Sequence, residues 1–502
     1  MLTLLALTVY VFVKHSFEEE DSHSTGKTEG IRTTLKIMGI EEENHDHENP
    51  LLQSRSGFPS SSPVQPPFKR TGTLWTAVAH IITGVIGSGV LSLAWSLAQL
   101  GWIAGPLSML FFALVTLLSS FLLSNCHRSP HPEHGPIRNR SYFEAVHTNL
   151  GEKTAWVCGL FIQINLYGTG IAYVITSATS MRAIQISNCY HKYGHEATCE
   201  FGNSLFMLLF GAVQVVMSQA PDFHNIQWLS IVAAIMSFAY STIGIGLGAA
   251  KVIGDGIVKG SIEGVSMSAA QKVWSVSQAL GDIAFAYPYS IILMEIQSPP
   301  PENETMKKAS TMAICITTFF YLCCGGFGYA AFGDQTPGNL LTGFGFYEPY
   351  WLIDFANACI VIHLVGGYQV FSQPFFAIVD KWFGEKFPDS DFINSHYTLK
   401  LPWLPTLKLN LFRLCFRTAY VASTTAIAMI FPYFNQVLGV LGALNFWPLS
   451  IYFPVEMYCV QRNIRAWTSK WIVLQIFSIV CLLVTMIALI GSIEGLLTAK
   501  FS

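Results

Sequence analysis

The sequence predicts an all-α integral membrane protein of about eleven transmembrane helices. Three observations carry that prediction. Only 12% of the 502 residues are charged and 51% are hydrophobic, whereas soluble domains run to about a quarter charged; a soluble fold would lack polar surface to cover itself. Apolar runs recur near 73–99, 103–125, 155–182, 203–219, 228–250, 271–296, 308–333, 351–380, 414–433, 436–459 and 470–494. Each comes near the ~20 residues that cross the hydrocarbon core as a helix. With the amino terminus inside and sides alternating, seventeen Lys and Arg flank the cytoplasmic ends and six the opposite ends, the other five lying in the distal tail. That asymmetry places the amino terminus in the cytoplasm and, for an odd number of spans, the carboxyl terminus outside. The net charge of −3 gives no case for a nucleic-acid partner, and membrane lipid is the expected surroundings.

The chain divides into a tail, residues 1–70, and a membrane domain, residues 71–498. Residues 14–70 are rich in Glu, Ser, His and Pro and cannot bury enough apolar surface to offset ordering entropy, which predicts a mostly disordered cytoplasmic segment. Residues 1–13 are apolar but too short to span, lack a basic n-region, and are read as an interfacial segment or an extended start. The His45-Asp46-His47-Glu48 run lacks the fixed spacing of a metal site, so no metal is expected. Two sequons, at Asn139 and Asn303, fall in loops assigned to the cytoplasm and are expected to be unmodified. Most cysteines sit in apolar runs as small hydrophobes. Cys189 and Cys199 share an outer loop, where a disulfide and two free thiols are both open readings.

Helices in lipid satisfy their own backbones, so an interruption within a span points to a site. The first run holds Gly84-Val85-Ile86-Gly87-Ser88-Gly89. Unwinding there frees N–H groups that, with the helix dipole, favour an anion such as a substrate carboxylate. Close helix packing is the alternative use of such small residues. The sixth run reads Gly281-Asp282-Ile283-Ala284-Phe285-Ala286-Tyr287-Pro288-Tyr289, where Pro288 breaks the ladder. Asp282 is the one carboxylate near the middle of any run; an ionisable group there marks a functional site by default, or else anchors a neighbouring helix. Spans one and six are five apart, the placement of paired broken helices in inverted-repeat transporters. His80 and His363 lie inside spans one and eight and are candidates for a proton relay. Gln163, Asn165, Tyr167 and Thr169 put polar groups in span three, either to bind a polar ligand or to pair with other helices, with Asn165 taken as a pocket residue; Asn445 to Leu449 form another Pro-broken stretch.

These segments resemble the plant amino acid permeases of the amino acid/auxin permease family. The resemblance runs through TGTLWTAVAHIITGVIGSGVLSLAWSLAQLGW at 71–102, NIQWLSIVAAIMSFAYSTIGIGLG at 225–248 and KVWSVSQALGDIAFAYPYSIILMEIQ at 272–297. It continues through PGNLLTGFGFYEPYWLIDFANACIVIHLVGGYQVF at 337–371 and FPYFNQVLGVLGALNFWPLSIYFPVEMY at 431–458. It implies a leucine-transporter-type five-plus-five inverted repeat with helices 1 and 6 broken. It also implies proton-coupled import of neutral and often acidic amino acids at the plasma membrane, with no cofactor. His80 and His363 fall at histidines that family members carry, and Cys189 and Cys199 match the family's outer-loop pair. His363-Leu364-Val365-Gly366-Gly367 lacks the Ser/Thr pair of sodium-coupled relatives, which favours protons.

The expected mechanism is alternating access. Substrate carboxylate meets the N–H groups of Gly84 to Gly89, and ammonium meets carbonyls of the broken sixth span and the field of Asp282. Ala284, Phe285 and Tyr287 line the pocket, and Asp282, His80 or His363 takes the proton. A sensor would bring a signalling domain and an enzyme a catalytic cluster, and the sequence shows neither; auxin or another small organic acid is the alternative substrate. No Walker-type GxxxxGK[ST] occurs.

Overall fold

A computed structural model describes residues 72–501 apart from 134, 195, 220–226, 297–298, 300, 345–348, 396 and 400–406. The expectations for the amino-terminal tail lie outside the described residues. Thr73 caps the first helix, α1 (Leu74–Val85), its hydroxyl accepting from the Thr76 N–H. A 3₁₀ turn, Ser88–Ser92, leads into α2 (Leu93–Ser124). Within α2 the backbone turns over at Gly101, with φ of +80°. A Cβ there would overlap the Ile262 carbonyl, so the junction between the first two runs needs glycine.

The chain continues as α3 (Tyr142–Leu150), α4 (Glu152–Tyr193), α5 (Asn203–Ser218) and α6 (Gln227–Asp255). Then come α7 (Ala269–Ala286), the short α8 (Ser290–Leu293), α9 (Glu302–Phe332) and α10 (Tyr350–Lys386). After the short α11 (Asp391–Asn394) follow α12 (Leu411–Ile430), α13 (Phe434–Trp447), α14 (Phe453–Gln461) and α15 (Ser469–Phe501). A π-helical turn at Pro448–Tyr452 joins α13 to α14, where proline removes a donor from the ladder. Among the described residues, seven helices are individually long and apolar enough to cross a membrane. The eleven apolar runs do not map one to one onto these: the first run is divided between α1 and the start of α2, the break at Tyr287–Tyr289 cuts the sixth short, and α5 has only 16 residues.

Contacts at the helix ends join segments that strict alternation puts on one side. On one side, Trp102 donates through its indole to Lys259 O at 3.3 Å, Lys259 N–H donates to Ala330 O at 2.9 Å, and Lys272 Nζ reaches Gln99 O at 2.7 Å. On the other, Arg138 Nε lies 2.9 Å from the Glu302 carboxylate and Arg128 Nε 3.4 Å from it, and Gln461 Nε2 donates to Arg128 O. Arg417 bridges Asp380 at 2.9 Å and Ser218 O at 2.6 Å. Both sequon asparagines, Asn139 and Asn303, are buried in this packing.

Glu302 is 1% exposed at its side chain and serves two arginines. Glu302→Gln is expected to remove about 1–3 kcal/mol by weakening charged hydrogen bonds to a buried partner. The check is the melting midpoint of detergent-solubilised protein by fluorescence-detected size exclusion. Lys381→Ala, whose pair with Glu385 is exposed, serves as the control and should leave the midpoint unchanged.

Candidate functional site

The two interruptions meet. The first helix stays regular through Gly84 and Val85 and opens at Ile86 and Gly87, whose ψ of 92° and φ/ψ of −134°/−148° leave the helical region. This corrects the expected unwound stretch: Gly84 and Val85 remain helical, and Gly84 lies against the Ile292 side chain of α8. The second break runs from Tyr287 to Tyr289, around Pro288, between α7 and α8. Gly89 sits directly on the end of α7: a Cβ there would come 3.0 Å from Ala286 Cα and 3.3 Å from the Phe285 ring. An added side chain would be tighter than ordinary packing here, and glycine lets the two broken backbones approach this closely without a shift.

Around this contact several groups converge. Ser88 is 2% exposed and its hydroxyl has no hydrogen-bond partner among the described residues. Phe285 is half-buried and packs on Ala172 of α4 and Leu438 and Leu441 of α13. Ala284 is buried, and Tyr287 turns its ring edge-on to Tyr321 of α9 with centroids 5.2 Å apart. The Tyr321 hydroxyl touches the last carbonyl of each half-helix, Val85 O at 2.7 Å and Ala286 O at 3.0 Å.

His363 of α10 joins the site from the other flank. Its Nδ1 lies 2.7 Å from Ala233 O of α6. A carbonyl only accepts, so Nδ1 carries the hydrogen and Nε2 of the neutral ring is the open acceptor. That Nε2 faces Gly87, 3.9 Å from where its Cβ would stand, beside the Tyr173 hydroxyl of α4 at the same distance. Tyr240 closes the histidine from α6, ring to ring at 5.9 Å.

Other expected residues lie elsewhere. Asn165 is half-buried eight residues before Tyr173, about 12 Å along a helix, so Tyr173 is the α4 residue at the break. His80 is exposed on the face of α1 away from its buried residues Ala77, Val78 and Ile81. Asp282 is fully buried, but it faces a seam formed by α13 and α15, where a Cβ on Gly439 would come 3.1 Å from its Oδ1. Neither carboxylate oxygen has a hydrogen-bond partner among the described residues. A disulfide joins Cys189, near the end of α4, to Cys199 in the loop that follows. Tyr173, Tyr240 and Tyr321 were not singled out by sequence; a hydroxyl on an aromatic ring within a span was the available signal.

Residues 70–498 match the family model described as transmembrane amino acid transporter protein. The chain belongs to that family. It is a multi-pass membrane protein, and the family is one of transporters rather than enzymes. Similar curated proteins from Arabidopsis thaliana include "Probable amino acid permease 7", 62% identical over 86% of this chain and 94% of the relative. "Amino acid permease 3" is 55% identical over 86% and 91%. "Lysine histidine transporter-like 1" is more distant, at 27% over 86% and 90%. Among solved structures, MhsT in complex with L-phenylalanine aligns with a TM-score of 0.52 at 10% identity, covering 83% of this chain and 98% of that one. Inward-facing Mhp1 aligns at 0.50 and 12%, covering 86% and 91%. These two share the fold of paired broken helices with the family member described here.

Proposed function

We propose that this protein is a proton-coupled symporter that imports neutral and acidic amino acids across the plasma membrane by alternating access. The observation that carries the reading is the meeting of the two helix breaks at Gly89 and Ala286, with His363 Nε2 turned towards Gly87. The N–H groups that open the helix after Gly87 have no partners inside it and suit a carboxylate. Half-helix carbonyls suit an ammonium. A zwitterion fits both, and the names of the Arabidopsis relatives agree with that class of substrate. Phe285 forms the wall for the amino acid side chain.

Protonation of His363 Nε2 sets a positive charge beside the carboxylate position. Proton and substrate then bind more tightly together than apart, and linkage makes the effect mutual. Acid pH therefore lowers the amino acid concentration for half-maximal transport. Asp282 is the second group for coupling, a lone carboxyl whose charge state alters the seam with α13 and α15. The amino terminus is assigned to the cytoplasm and the carboxyl terminus to the outside on the basic-residue asymmetry.

The test is current and radiolabelled uptake in voltage-clamped oocytes, in sodium-free medium at pH 5.5 and 7.5. Inward current that grows at acid pH is the expected result. Neither current nor uptake, with the protein shown at the surface, would sink the symport reading.

A further inference from the structure

We infer that Tyr321 is a positioning residue of the transport cycle, its phenol hydroxyl tying the carbonyl ends of both half-helices, Val85 and Ala286, to one point so that the two breaks move as a pair. The inference rests on the breaks being the amino acid site.

The chain breaks after Val85 and after Ala286, so each carbonyl is among those left without a partner inside its own helix. Both approach the same hydroxyl, at 2.7 and 3.0 Å. A phenol has one proton, and the two carbonyls share it. Two carbonyl dipoles therefore converge on one shared donor, which fixes the two half-helix ends relative to each other. Tyr321 is itself fixed: it is 0% exposed and its ring is held edge-on by Tyr287, the first residue of the second break. It stands on α9, which also packs along α1 and α2. The hydroxyl is thus a third-party contact that reports the position of one break to the other.

The test uses the full-length protein in oocytes, with uptake normalised to biotinylated surface protein. Tyr321→Phe is expected to raise the half-saturating amino acid concentration about 10-fold, the size of one lost hydrogen bond, while saturated uptake per surface molecule stays within about two-fold. A purely structural role would lower surface protein and leave half-saturation where it was. Tyr321→3,5-difluorotyrosine, introduced by nonsense suppression, keeps ring and hydroxyl but makes a stronger donor. It is expected to shift half-saturation at least about two-fold without loss of surface protein, and it decides the matter should the Phe variant not reach the surface. Tyr420→Phe, a buried phenol outside the site, is the control with no expected shift. Unchanged half-saturation in both Tyr321 variants overturns the inference while leaving the functional reading intact. No uptake by the unmodified protein overturns both.

Discussion

Gly442→Val is expected to remove nearly all of the folded protein. Gly442 of α13 lies against the backbone of α7, so that a Cβ would stand 2.6 Å from Phe285 N and 2.9 Å from Phe285 Cβ, and would overlap the Gly281 carbonyl. A backbone atom cannot rotate away as a side chain does. The helices must part, and Gly439 and Gly281 on the same seam lose their contacts with Ser492 and with each other. Overpacking of this kind costs about 1–3 kcal/mol for one inserted group and more when the obstacle is main chain. Valine adds two further methyls. Against a total stability of roughly 5–15 kcal/mol, that moves much of the population out of the native state. The measurement is the monodisperse fraction and melting midpoint in detergent, with surface biotinylation in cells. Gly246→Ala is the matched control, because nothing lies within 4 Å of its added Cβ. It should be neutral or slightly stabilising, since alanine favours a helix over glycine by about 1 kcal/mol. A Gly442→Val protein with a native midpoint would mean that the seam between α7 and α13 yields freely.

His363→Leu is expected to reduce amino-acid-evoked current at pH 5.5 at least tenfold and to make the residual uptake indifferent to pH. Leucine matches the volume but offers no nitrogen to accept a proton beside Gly87, and it leaves Ala233 O without its donor. In the unmodified protein, acid pH fills Nε2 and half-saturation falls; with leucine the values at pH 5.5 and 7.5 coincide. His363→Gln separates the two functions of the ring, since an amide restores a donor for Ala233 O without a group that titrates. Gln is therefore expected to recover surface protein while staying indifferent to pH. Acid stimulation that survives in the Leu variant moves the coupling to Asp282, and Asp282→Asn would then abolish it.

Much of this site was legible before any coordinates. The Gly-rich and Pro-containing interruptions marked both breaks to within about three residues. Glycine and proline act on their own backbone, and their effect does not wait for partners. The histidine in span eight was found because an ionisable group in an apolar run is costly wherever it points. The resemblance to amino acid permeases rested on long ordered segments, and the family match over residues 70–498 agrees with it.

Direction was not legible. Asp282 and Phe285 are three residues apart on one helix, yet Phe285 touches Gly89 while Asp282 faces α13 and α15. Asn165 stood out among the polar residues of span three, yet Tyr173 holds the place beside Gly87. Tyr321 looked like any aromatic residue of an apolar run until its hydroxyl met two carbonyls from distant parts of the chain. By itself the sequence determined that the chain crosses a membrane repeatedly, where its helices break, and which residue types can carry charge or bind it. Which way each helix is rotated, and so which of those residues face one another, was decided only by the tertiary structure. In water an apolar stripe tells a helix which side to bury. Lipid and protein interior are both apolar, so here that stripe is missing, and close packing and scarce hydrogen bonds set the rotation instead.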